Sequence, residues 1–163
     1  MDSALATEPS APASSATPAA VPALIARLVE QHGAVWVDAN AIDAFLAQKG
    51  DCALFFAGDA VRFPECLDVA VVLPELQRVF PGRFTVGVAR REDEDALARR
   101  FGSQRWPALV FLRDGRYVTT IAGMLDWDVY LARVAEALAM PVSRAPTIGI
   151  PVVGGSAGAS GCH

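Results

Sequence analysis

Hydrophobic residues recur along this chain with a period that switches between the three-to-four spacing of a helix and the unbroken or alternating runs of a strand. Within Pro22–Gln31, Leu24, Ile25, Leu28 and Val29 share one helical face. Ala34–Val37 predicts a short strand, and Asn40–Gln48 a helix with Ile42, Phe45 and Leu46 on one side. Cys52–Ala57, CALFFA, is continuously apolar, as a central strand buried on both faces should be. Cys66–Phe80 reads as a helix interrupted by Pro74, Phe84–Ala89 as a strand and Glu92–Phe101 as a helix. Pro107 then opens a strand, Asp114-Gly115 supplies a tight turn, and Gly123 breaks the returning strand. Asp126 stands where its carboxylate can cap a last helix, and Asp128 complements the dipole of its first turn. Tyr130, Leu131, Val134 and Leu138 form that helix's inward face. The order α-β-α-β-α-β-α-β-β-α implies a parallel portion with helical crossovers and a final antiparallel hairpin.

The ends differ from this core. Residues 1–20 are rich in Ala, Pro and Ser and predict a disordered tail. Residues 141–163 are rich in Gly, Ser and Pro and predict a flexible one, leaving a domain over 21–140. Thr147–Val153, TIGIPVV, is an apolar strip within that tail, expected to pack back on its own domain, with docking of a partner as the alternative. Net charge is −4, which argues against a nucleic-acid partner and leaves room for a basic peptide. No apolar run reaches the roughly 18 residues of a membrane span, so no membrane insertion is expected. The N-terminus has neither a basic start nor a long apolar run, so it predicts no secretory signal and a cytoplasmic address. Cys52, Cys66 and Cys162 are scattered, which fits a reducing compartment better than a disulfide framework.

The stretch Arg105–Tyr130 resembles the C-terminal half of a thioredoxin-like domain, and the element order as a whole is that α/β arrangement: a mixed sheet flanked by helices. The resemblance implies a cis bond before Pro107 and a residue, Trp106, whose backbone is offered to an extended peptide. Trp106 is a natural apolar anchor there, or else a ring buried under the preceding helix. Arg105 pairs with nearby acids or stays solvated. A thiol-disulfide enzyme of this fold needs Cys-x-x-Cys, yet the corresponding segment reads Pro64-Glu65-Cys66-Leu67-Asp68-Val69. Cys66 falls at about the nucleophile's position, where a helix N-terminus can lower a thiol pKa, and Val69 stands where a resolving cysteine would be. A monothiol redox protein using Cys66 is therefore the alternative to a non-catalytic binder. Asp59, Glu65 and Asp68, with Glu75 further along, gather near the expected groove as candidates for binding arginines, although acids in a first helical turn are also locally stabilising. The run Glu92-Asp93-Glu94-Asp95 has only the latter reading. With His32 and His163 the only histidines, no metal cluster is argued, and no phosphate loop, Ser-His-Asp set or glycine fingerprint points to a cofactor.

Two stretches go beyond a generic thioredoxin-like fold. PECLDVAVVLPEL at 64–76 and RWPALVFLRDGRYVTTIAGMLDWDVYL at 105–131 resemble hydrogenase expression proteins of the HyaE/HupG type, with RWPALVFLRDG and GMLDW the most specific words. That resemblance covers roughly residues 21–140. It implies a non-catalytic chaperone in maturation of a nickel–iron hydrogenase. The implied partner is the small-subunit precursor with its twin-arginine signal peptide, held in the cytoplasm before export; other hydrogenase maturation factors are further candidates. The partner-binding residues would be Trp106, Pro107, Arg105, Glu65, Asp68 and Asp59, with no catalytic residue, metal or cofactor.

Overall fold

The computed structural model describes residues 20–147. The 1–20 tail, apart from Ala20, lies outside them, as do Cys162 and the apolar strip beyond Thr147. The elements are α1 (Ala23–Gln31), β1 (Val35–Val37), α2 (Ile42–Leu46), β2 (Asp51–Phe56), α3 (Glu65–Val79), β3 (Phe84–Ala89), α4 (Glu94–Arg100), β4 (Ala108–Arg113), β5 (Arg116–Ala122) and α5 (Trp127–Ala139). Five strands form one mixed sheet in the order β1-β3-β2-β4-β5. β3 runs parallel to β1 and to β2, whereas β4 runs antiparallel to β2 and to β5. This is the thioredoxin-like arrangement expected from the element order.

The CALFFA run explains the layering. Side chains alternate faces along a strand, so Ala53 and Phe55 enter one core while Cys52, Leu54 and Phe56 enter another. The first core is closed by α1, α3 and α5, through Ile25 and Leu28, Val69 and Leu73, and Tyr130 and Val134. The second is closed by α2 and α4, through Ile42 and Phe45, and Leu97 and Ala98. β3 accommodates Phe45 only because Gly87 has no side chain: a Cβ there would lie 2.7 Å from that ring.

The final hairpin is tied down at its tip. Asp114 and Gly115 both have positive φ, 50° and 75°, which gives a two-residue turn the twist of the flanking strands. Asp114 also accepts from the Gly50 N–H at 2.8 Å, next to the start of β2. Arg113 then reaches across the sheet. Its Nε donates to Asp51 at 2.6 Å, and its Nη1 and Nη2 donate to the carbonyls of Met140 and Leu138 at the end of α5. One guanidinium thus joins β2, β4 and the C-terminus of a helix whose last carbonyls have no intrahelical partner.

Two local expectations are corrected. Pro74 does not interrupt its helix: α3 runs from Glu65 to Val79 with Pro74 inside, buried on the core side with Leu73 and Leu76. That burial opposes a helix-interior proline's cost of about 3 kcal/mol. Asp126 does occupy the N-cap position of α5, with extended backbone, but its side chain makes no capping hydrogen bond. Residues 141–147 have no regular structure, but Ser143 N–H donates to the Tyr117 carbonyl at 2.7 Å and Pro146 packs on Gly102.

Phe55 sits at the centre of the larger core with no exposed surface. Phe55→Ala should destabilise the protein by about 3–5 kcal/mol through lost burial and the cavity left behind. Urea unfolding checks this; an unchanged midpoint would contradict the two-sided burial of β2.

Candidate functional site

The segment from Ala57 to Pro64 joins β2 to α3 and carries the site. Gly58 has φ +76°, and a Cβ there would lie 2.8 Å from Phe63 and 2.9 Å from Trp106, so both geometry and space require glycine. Phe63 and Trp106 stack over it, with ring centroids 5.9 Å apart. Trp106 is half-buried against the second core, joined to Pro107 by a cis bond as the sequence predicts. Asp59 folds the loop: its Oδ1 accepts from the N–H groups of Val61 and Arg62, which holds its carboxyl below the usual range.

Glu94 fixes this loop to α4. It is 1% exposed, yet its Oε1 accepts from Gly58 N–H at 2.8 Å and its Oε2 from Arg91 at 3.0 Å. Burial pushes its carboxyl pKa up, while the Gly58 and Arg91 contacts oppose the rise. The acidic run at 92–95 therefore does more than serve a helix terminus. Its Asp93 also accepts from Ala39 N–H, across from β1.

Of the expected site residues, the structure places Trp106 and Pro107 together with the 57–64 loop. Pro107 is buried, and its carbonyl accepts from Gly123 N–H at 2.7 Å. Tyr130 Oη donates to the Gly123 carbonyl at 2.7 Å, so the end of β5 is held between Pro107 and α5. Met124 and Trp127 follow, both exposed. The backbone of Trp106 makes no hydrogen bond to another backbone group among the described residues. Glu65 and Asp68 are exposed in the first turn of α3, directly after Phe63-Pro64. Arg105 is exposed and has no ion pair among the described residues. Glu75 pairs with Arg78 and lines a cleft with Leu24 and His32 of the α1 side.

Two cavities flank Gly58 and Arg91. One, about 270 Å³, is bounded largely by apolar residues including Val21, Ile25, Trp36, Val61 and Ala89. The other, about 470 Å³, is lined by Arg62, Phe63, Arg91, Arg99, Ser103 and Trp106, among others. The sequence reading missed this second cavity, Gly58 and the inward turn of Glu94. A glycine closing an apolar run, CALFFAG, was the one signal available for the loop.

Cys66 offers no accessible nucleophile. It is fully buried in α3, and burial, reinforced by the charges of Glu94 and Glu65, pushes its thiol up to about 11. The expected lowering by a helix N-terminus is thus outweighed, because desolvation and surrounding carboxylates both disfavour a thiolate. Cys52 is buried in β2 as predicted, its thiol pushed up to about 12. Val69, where a second active cysteine would stand, is a core side chain. Among the described residues no group of acids, histidines and cysteines could hold a metal, and no helix is long and apolar enough to cross a membrane.

The fold and site define a thioredoxin-like domain whose sequence has no redox cysteine pair. A family model described as Hydrogenase-1 expression protein HyaE matches residues 24–130. The chain is 66% identical over 146 residues to the hydrogenase expression/formation protein HoxO of Cupriavidus necator, covering 88% of this chain and 90% of that one. It is 39% identical over 127 residues to the hydrogenase expression/formation protein HupG of Bradyrhizobium diazoefficiens, covering 76% and 86%. A solved structure of hupG from Rhodopseudomonas palustris is 43% identical, with a TM-score of 0.47 over 64% of this chain and 95% of its own. This chain belongs to the HyaE family of hydrogenase expression proteins.

Two predictions follow from the site's titratable groups. The folded chain holds the Glu94 proton more readily than the unfolded one. The associated stability is full below the ordinary value of 4.5 and lost as pH rises through the raised folded value. Glu94→Gln keeps an acceptor for Gly58 and has no titration, so it should improve relative to wild type as pH rises above 4.5 through the raised folded value. Urea midpoints at each pH test this; a difference that is flat, or of opposite slope, counts against it. In a Cys162→Ser background, Cys52 and Cys66 should react with an aromatic disulfide reagent only after denaturant is added, and insulin reduction should stay at background. Rapid native labelling at Cys66 would restore the monothiol alternative.

Proposed function

We propose that this protein is a non-catalytic chaperone that binds a hydrogenase small-subunit precursor in the cytoplasm, with contacts to its twin-arginine signal peptide. The observation that carries the binding mode is the face around Trp106. Its backbone is unpaired beside a half-buried ring, and exposed Met124 and Trp127 follow a glycine hydrogen-bonded to Pro107. An extended peptide gains main-chain hydrogen bonds at such a place and apolar contact from the rings. Family membership supports hydrogenase assembly as the setting.

In this reading Glu65 and Asp68, both exposed and without ion pairs among the described residues, receive the arginines of the signal peptide. Asp59 adds negative charge nearby while its Oδ1 holds the loop. Arg105 borders the anchor and pairs with an acidic residue of the same partner. The buried, protonated Cys66 agrees with binding rather than thiol chemistry.

Calorimetry or capture with the precursor, its signal-less form and a twin-lysine form tests the proposal. Trp106→Ala should cost about 2 kcal/mol or more, roughly thirtyfold in affinity. Glu65→Lys with Asp68→Lys should slow association, and added salt should weaken wild-type binding. Equal binding of all three forms, together with no effect of Trp106→Ala, would remove the peptide face from the proposal.

A further inference from the structure

The second cavity beside Trp106 has a sign that the chain's acidic balance conceals. Arg62, Arg91 and Arg99 converge on it from the 57–64 loop and from α4 and its approach. Arg91 is neutralised by Glu94 and Asp95, at 3.0 and 3.2 Å. Arg62 lies over the Phe63 ring at 5.4 Å and has no ion pair among the described residues. Arg99 is exposed and has none either. Asp95, the one acid lining the cavity, is already engaged by Arg91.

Two polar atoms lie sealed behind the wall of this cavity. Among the described residues two buried side-chain polar atoms lack any hydrogen-bond partner, Ser103 Oγ and Trp106 Nε1. Both residues line this same cavity, and Ser103 is only 5% exposed. A buried group without a partner is costly. An indole N–H can only donate, and a hydroxyl can donate. Two guanidinium groups without ion pairs among the described residues call for an acceptor-only, negatively charged group; the two orphan donors have no accessible surface and lie behind the wall rather than in it. Phe63 and Trp106 add an apolar wall suited to a side chain that arrives on a polypeptide rather than to a free ion.

We propose that the cavity lined by Arg62, Arg99, Ser103 and Trp106 is a carboxylate site that takes a Glu or Asp side chain of the polypeptide partner. The proposal rests on the peptide-binding reading above and extends it. The exposed acids at the start of α3 receive basic residues, while the arginines of the cavity receive an acidic one. A partner carrying both signs is thereby held in one direction.

Calorimetry on the full chain tests this with a short blocked peptide bearing one central glutamate, the same peptide with glutamine, and inorganic phosphate. The glutamate peptide should bind at least about tenfold more tightly than the glutamine peptide. Arg62→Gln with Arg99→Gln should abolish that preference, and both positions are exposed, so folding is retained. A glutamate preference that survives the double variant, equal binding of both peptides, or phosphate binding as tightly as the glutamate peptide would each overturn the carboxylate site. The hydrogenase precursor separates this idea from the one beneath it. Precursor binding untouched by Arg62→Gln/Arg99→Gln would overturn the carboxylate site and leave the chaperone reading. A glutamate preference without precursor binding would support the site and remove that reading.

Discussion

A single carboxylate holds the working end of this molecule together. Glu94 stands almost wholly out of water, and an ion so placed is costly unless its lone pairs are answered. Gly58 N–H and Arg91 answer them. The bond to Gly58 joins α4 to the end of the most buried strand, across the top of the second core. It also sets where the chain turns after β2, and therefore where Phe63 lies and what Trp106 can stack upon. Gly58 is the matching constraint, since a side chain there would occupy the space that both rings fill.

From that junction the charge distribution of the surface follows. Arg91 is drawn inward by Glu94 and shared with Asp95, which leaves Arg62 and Arg99 as the cations of their cavity without an ion pair among the described residues. On the far side of Phe63 the first turn of α3 exposes Glu65 and Asp68, where carboxylates also suit the helix dipole. Net charge of −4 describes the chain as a whole and hides this local separation. A modestly acidic protein can present a cationic recess when its acids are committed to loops and helix starts.

How much of this the sequence disclosed depended on the range of each interaction. CALFFA announced a strand buried on both faces because burial of every position leaves no polar side, and the alternating core membership of Ala53, Leu54, Phe55 and Phe56 agrees. Asp114-Gly115 was readable as a turn because the conformational demand is local. The bond before Pro107 came from resemblance rather than from any local rule. Pro74 misled, because a proline's local preference against helix interiors gave way to the packing of the face it shares with Leu73. Glu94 was hidden for a different reason. In a run of four carboxylates, any one of them could face inward, and the choice is made by where β2 ends, far away in the chain. Arg62 and Arg99 likewise share no sequence motif; only the fold brings them to one recess with Ser103.

The sealed thiol of Cys66 has a kinetic meaning. An oxidoreductase of this architecture can trap its client through a mixed disulfide and release it by a second attack, so its cycle is timed by chemistry. Here the sulfur lies in the apolar core, where burial, reinforced by nearby carboxylates, keeps its proton in place. A client resting on such a face has no covalent tether and needs no reductant to depart. Its dwell time is set by dissociation alone, and can be lengthened or shortened by each side chain it touches. On the proposed chaperone role, timing would pass from the holder to the client: as a maturing chain folded away the segment it had lent, rebinding would cease, and the handover would be self-terminating.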